Sequence, residues 1–291
     1  MAAMRRFAEA LEARADSRAS VVTTENGMPI ELARLAEGAA PVQLLRYYAD
    51  LVEFLPAEEV RDSQPFPGST RIRRSPLGVV AAIAPWNFPA ALSMFKIAPA
   101  LAAGCTVVLK PSPETALDAY ILAEAAVEAG LPDGVPNIVN GGASIGQYLV
   151  AHPGVDKVAF TGSTEAGRHI GQVCGQLIRP VTLELGGKSA AIVLDDADID
   201  STVSGLANAS LLNSGQTCYM STQILVPASQ YHTYVDAITD TVAGLPVGRP
   251  DGLDDCDRPP RQCPTATAGP VLHCTRTRRR RTYHHRRRSS Q

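Results

Sequence analysis

The chain has 291 residues, of which 45% are hydrophobic and 19% charged, and a formal net charge of −2. That length allows one large or two ordinary domains, and the apolar fraction supports a sizeable core. No apolar run reaches the length of a transmembrane helix, and Glu9, Glu12 and Asp16 interrupt any leader-like apolar stretch at the start.

In chain order, Phe7, Ala8 and Leu11 fall at helical spacing and predict an amphipathic N-terminal helix. The segment 58–76, with SQPFPGSTRIRRSP, breaks the pattern and reads as a protruding hairpin or a linker. From Leu77 to about Ala243, short apolar runs alternate with helical patterns. Strands are expected over 77–84, 105–110, 136–140, 156–160, 181–185 and 190–195, where β-branched residues are bounded by Pro or Gly. Between them, MFKIAPALAAG, TALDAYILAEAAVEAG, TEAGRHIGQVCGQL and DIDSTVSGLANASLL read as helices. This alternation predicts an α/β fold with a mainly parallel, Rossmann-like sheet. A parallel sheet buries both faces, which accounts for the nearly unbroken apolar strands. The six cysteines show no disulfide or zinc spacing, which points to a reducing cytoplasm.

Four stretches carry possible chemistry. In VDKVAFTGSTEAGR a strand runs through Gly162 and Ser163 into a helix containing Gly167. Backbone N–H groups there could hold an anion, or Ser163 could simply cap the helix. TLELGGKS places Glu184 at a strand end before two glycines, as an ion-pair partner or a functional base. AIAPWNFP holds Trp86 and Asn87 between two prolines just after a strand, where open α/β sheets bind ligands. Asn87 is then either a turn residue or a fixed N–H donor. NSGQTC ends a polar turn on Cys218, which taken alone would be a small buried hydrophobe.

In this order, APWNFP, LKPSPETAL, FTGSTEAGR, LELGGKSA and NSGQTC resemble the aldehyde dehydrogenase superfamily, from the N-terminal helix to Gly248. The resemblance implies oxidation of an aldehyde to a carboxylic acid with NAD, or with NADP. It implies Cys218 as nucleophile, with the Asn87 carboxamide and the Cys218 backbone N–H stabilising the oxyanion. Glu184 would be the base that activates water, made more basic by partial burial, and Lys96 matches a family lysine near the site. It places Lys110 at the adenosine ribose, Trp86 and Ser163 at the pyrophosphate, and Leu185 and Gly186 near the nicotinamide. Ala84, Pro85, Gly162 and Gly167 complete the cofactor set. Many NAD-preferring members carry a glutamate three residues after the ribose lysine; Pro113 stands there and Glu114 follows. Leu92, Met94 and Tyr219 are candidates for the substrate tunnel, and each fits a core position equally well.

The implied organisation is a dinucleotide-binding domain over 1–57 and 77–186 and an oligomerisation hairpin or linker over 58–76. A partial catalytic domain follows over 187–248, then a tail outside the family pattern over 249–291. Family members homo-oligomerise; neither membrane nor nucleic acid is expected as a partner. From Arg249 onward, eleven arginines stand against four aspartates, without the aromatic interleaving of a nucleic-acid binder. The tail reads as an out-of-frame product, since a one-base shift permits DPTDSTTAIGPLVSARQ, with a family-like GPL. The chain therefore reads as truncated, and a catalytically inactive fragment that binds adenine dinucleotide is the alternative.

Overall fold

A computed structural model describes residues 1–251; the expectations for the tail beyond Asp251 lie outside the described residues. The N-terminal region is helical: α1 (Ala2–Glu12), α2 (Ala15–Asn26), α3 (Ile30–Ala33), a π-helical turn (Arg34–Ala39) and α4 (Ala40–Phe54). The amphipathic α1 buries Met4, Phe7, Ala8, Ala10 and Leu11, the i, i+3, i+4, i+7 stripe of a helix against a core. A two-residue break at Ala13 and Arg14 separates it from α2.

Segment 58–76 forms an antiparallel hairpin of β1 (Glu58–Asp62) and β2 (Ser69–Arg73), whose strands, among the described residues, pair only with each other. Then the chain alternates β3 (Val79–Ile83), α5 (Pro89–Ala102), β4 (Thr106–Lys110), α6 (Leu117–Glu128), β5 (Pro136–Ile138), α7 (Ala143–Ala151), β6 (Lys157–Gly162), α8 (Thr164–Gln176) and β7 (Val181–Leu185). These strands make one parallel five-stranded sheet in the order β5-β4-β3-β6-β7. Helix α7 carries few apolar anchors and was not legible in the sequence, and α5 begins five residues before its predicted start.

The central strand β3 shows how the layers form. Val80 and Ala82 face a core shared with α1, α4, α5 and α6. Ala81 and Ile83 face the opposite core, built with α7 and α8 around Val150, Ile170 and Cys174. Burial on both faces requires an apolar residue at every position.

The strand expected over 190–195 is corrected on two counts. It is β8 (Ser189–Ile192), and it leaves the main sheet to pair in parallel with β9 (Ser221–Leu225). Strand β9 opens with three polar residues, Ser221, Thr222 and Gln223, so its sequence gives no run of strand formers. Helices α9 (Ile199–Leu211) and α10 (Tyr231–Ala243) complete this second unit. Asp198 caps α9 by accepting from the Ser201 N–H at 2.9 Å. Among the described residues no helix is long and apolar enough to cross a membrane.

Candidate active site

The chain runs outward from β3 through β4 to β5, then returns to build β6 and β7 on the other side of β3. Strand order therefore reverses between β3 and β6, and the crevice beyond their C-terminal ends is where such sheets bind ligands. Ala84, Pro85, Trp86 and Asn87 follow β3 directly; Gly162 ends β6 and Ser163 follows it.

Ser163 is the N-cap of α8, its Oγ accepting from the Ala166 N–H at 3.2 Å. The capping reading is realised, and the hydroxyl proton remains available as a donor. Gly167 lies one turn on, against β7. A Cβ there would fall 2.4 Å from Leu185 Cδ2, so this glycine permits close helix–strand packing. Gly186 opens onto free space, with nothing within 4 Å of a Cβ position. Trp86 is 39% exposed at the crevice mouth, whereas Ala84 is buried.

Lys110 ends β4, and its Nζ donates to the Pro111 and Gly141 carbonyls, each at 2.7 Å. Burial lowers its pKa, partly opposed by Glu114. An ammonium has three donors, so one remains for a ligand. Pro113 opens a single helical turn (Pro113–Thr115) that sets Glu114 beside Lys110, its carboxylate accepting from Ser112 Oγ.

Asn87 Nδ2 donates to the Gln216 carbonyl at 2.8 Å, two residues before Cys218. In return Asn213 Nδ2 donates to the Asn87 carbonyl at 3.0 Å, and Asn26 Nδ2 donates to the Trp86 carbonyl at 3.0 Å. The turn before Cys218 is strained: Asn213 and Ser214 have φ of 54° and 53°, and Gly215 follows at 86°. Left-handed non-glycine residues cost on the order of 1–3 kcal/mol each. The bond from Asn213 to Asn87 and that from Gln216 N to the Asn213 carbonyl, 3.0 Å, hold the turn. Cys218 is free and exposed, contrary to the buried hydrophobe it would be in isolation.

Lys96 projects from α5, buried, and its Nζ donates to Thr161 Oγ1 at 2.7 Å and the Leu92 carbonyl at 3.0 Å. Thr161 is the cross-strand partner of Glu184. Burial brings Lys96 down to about 8, with the Glu184 charge opposing. The partial burial expected of Glu184 is absent: β7 is an edge strand, and alternate residues of it are exposed. Of the two readings open for Met94 the structure takes the core one, since it is wholly buried among the helices. Leu92 is half-buried and Tyr219 is 64% exposed.

Residues 1–289 match the Aldehyde dehydrogenase family. The chain belongs to the aldehyde dehydrogenase family. It is 60% identical over 251 residues to a geranial dehydrogenase of Castellaniella defragrans, a match covering 86% of this chain and 52% of that one. A phenylacetaldehyde dehydrogenase of Pseudomonas fluorescens is 46% identical, over 84% of this chain and 49% of its own. The crystal structure of a Mycobacterium tuberculosis aldehyde dehydrogenase complexed with NAD+ superposes with a TM-score of 0.81 at 40% identity, covering 86% of this chain and 51% of that one. The α/β architecture is thus the aldehyde dehydrogenase fold, and the chain spans about half the length of the relatives it matches. The family match extends past Gly248, where the motif resemblance ends.

Around this candidate site, Asn26, Thr161 and Asn213, and Glu37 at the start of α5, whose Oε2 accepts from the Ala90 N–H, are not singled out by the sequence. Asn26 and Asn213 were accessible to it, as polar residues in Asn-Gly and Asn-Ser-Gly turns. Thr161 and Glu37 gave no local signal, because their roles depend on partners 65 and 53 residues away.

Proposed function

We propose that this chain oxidises an aldehyde to a carboxylic acid with NAD, and that NADP can substitute. The observation that carries the reading is the Asn87–Gln216 hydrogen bond, which seats the carboxamide of the turn after β3 against the cysteine loop. The exposed Cys218 thiolate attacks the aldehyde carbon, forming a C–S bond and an oxyanion. The Asn87 carboxamide and the Cys218 backbone N–H donate to that oxyanion. A bound nicotinamide dinucleotide supplies the hydride acceptor for this chemistry. With that acceptor bound to take the hydride, collapse of the oxyanion would leave a thioester on Sγ. Glu184, exposed to solvent, takes a proton from water as the water attacks the thioester; the C–S bond breaks and the acid leaves. Lys96 stands behind Glu184, bonded to its cross-strand partner Thr161.

The cofactor fits these residues. Lys110 has a free donor for a ribose hydroxyl, and the α8 N-terminus with Ser163 and Gly162 suits a pyrophosphate. Trp86, Ala84 and Pro85 line the crevice beside it, and the open backbone at Gly186, with Leu185 wedged on Gly167, gives the nicotinamide end room. Glu114 beside Lys110 favours NAD, because its charge opposes a 2′-phosphate. On this reading 1–57 with 77–186 binds the dinucleotide and 187–248 carries the cysteine. The hairpin, with Val60 58% and Phe66 77% exposed, makes an oligomer contact. The protein works in the cytoplasm, without a nucleic-acid partner.

The test is NADH formation by purified protein from geranial and from phenylacetaldehyde, beside Cys218→Ala. Turnover lost in the variant is the expected result. Soluble protein that binds NAD without forming NADH would leave dinucleotide binding as its function.

A further inference from the structure

Glu37 lies on the π-helical turn and is 0% exposed. Its Oε2 accepts from the backbone N–H groups of Ala90, at 2.6 Å, and Ala91, at 3.2 Å. These are orphan donors in the first turn of α5, and the residue at its N-cap, Phe88, supplies no side-chain bond. The helix is therefore capped from outside, by a residue more than fifty positions earlier. Only Phe88 and Pro89 separate the capped Ala90 from Asn87, and Pro89 restricts the backbone between them. The opposite side of the Asn87 peptide is held by Asn26 and Asn213.

Glu37 is itself held from behind. Arg18 Nη2 donates to the Gly38 carbonyl at 2.5 Å. Gly38 sits so close to α2 that a Cβ would lie 3.3 Å from the Ala15 carbonyl oxygen. An extra residue in a helical turn re-aims side chains, and such turns recur at functional sites; here it turns a carboxylate into the core. Burying that carboxylate carries a desolvation cost that an apolar residue would avoid. Burial and the nearby Asp118 push the Glu37 pKa well above the usual carboxylate range, with Arg18 and the two N–H groups opposing. What the site uses is an acceptor atom at the α5 N-terminus.

We propose that Glu37 is a positioning residue: by fixing the first turn of α5 it sets the direction of the Asn87 carboxamide towards the cysteine loop. The effect on turnover rests on the proposed oxyanion role of Asn87; the effect on Asn87 itself does not.

The test compares Glu37→Leu and Glu37→Gln in the whole chain. Glutamine keeps an acceptor oxygen at the same reach, and leucine keeps only bulk. The first readout is the Asn87 side-chain amide pair in a 1H–15N spectrum, identified by its loss in Asn87→Ala. The reference is Asn137, whose Nδ2 is bonded to the Gly134 carbonyl at 2.8 Å on the sheet edge. Leucine is expected to displace the Asn87 pair and leave Asn137 in place, and glutamine to restore it. In turnover, leucine is expected to lower kcat by about 10-fold with aldehyde KM and NAD Kd unchanged, since a misplaced catalytic group acts on the transition state. A folded Glu37→Leu with the Asn87 pair unmoved overturns the proposal, as does glutamine displacing it equally. Should the leucine variant not fold, Glu37→Asp decides by the same displacement, because it draws the carboxylate back by one methylene. A wild type without turnover would overturn the proposed function, and the spectra alone would then decide the role of Glu37.

Discussion

Lys96 Nζ reaches across from the middle of α5 to donate to Thr161 Oγ1 at 2.7 Å, placing a buried ammonium behind the strand pair that carries Glu184. Burial lowers its pKa from 10.5 to about 8, and the Glu184 charge opposes this. A lysine depressed in the folded state binds fewer protons there than in the unfolded chain between those two values. Stability therefore rises as pH climbs from about 8 towards 10.5. Urea midpoints measured across that window should show a rise in the wild type that is smaller in Lys96→Met. Equal slopes in the two proteins would contradict the assignment.

Asp118 gives the opposite sign at lower pH. It is buried, and burial chiefly raises it from 3.8 to about 7, with Arg18 opposing and Glu25 adding to the rise. The folded state then holds a proton that the unfolded chain releases. Its stabilising contribution is complete below about 3.8 and is lost as pH rises through about 7. Glu37, on the facing turn, is shifted in the same direction. Melting temperatures from pH 4 to 7 should decline less steeply in Asp118→Asn than in the wild type.

Gly167 and Leu185 are coupled by contact. Adding a Cβ at Gly167 brings it to 2.4 Å from Leu185 Cδ2 and 2.9 Å from Cδ1, so the leucine must move or α8 must lift from β7. Gly167→Ala should cost about 1–3 kcal/mol by overpacking. Much of that cost should disappear when Leu185 is also alanine. A double-mutant cycle by urea unfolding measures this, and strictly additive effects would refute the contact.

Asn87→Ala separates oxyanion stabilisation from thiol reactivity. Losing one such donor typically lowers kcat by 10²–10³, about 2.7–4 kcal/mol. Alkylation of Cys218 by iodoacetamide develops no comparable oxyanion and should proceed at the wild-type rate. Parallel losses in both reactions would show that the variant deforms the cysteine loop, whose Gln216 carbonyl accepts from Asn87.

The parallel sheet was legible because its strands obey a local rule. VVAAI is apolar at every position and TVVLK at its three central ones, Val107, Val108 and Leu109, as burial on both faces demands. Ser163 as a helix cap was equally legible, because a cap is settled within four residues. Strand β9 was not, since STQIL is stabilised by pairing with β8 rather than by its own composition. The exposure of Glu184 was misjudged for a related reason, as edge or interior placement is a property of strand order.

By itself the amino-acid sequence determined the strand–helix alternation, the order of the glycine turns and the presence of Asn87, Glu184 and Cys218. Each is written in neighbouring residues, through propensity, periodicity and capping. Only the tertiary structure decided that Asn87 meets the loop before Cys218, that Lys96 stands behind Glu184, and that Glu37 caps α5. Those contacts join residues 129, 65 and 53 positions apart in their hydrogen bonds. Folding satisfies buried polar groups with whatever partner the packed core brings near, and that partner is fixed by how the helices and sheet dock.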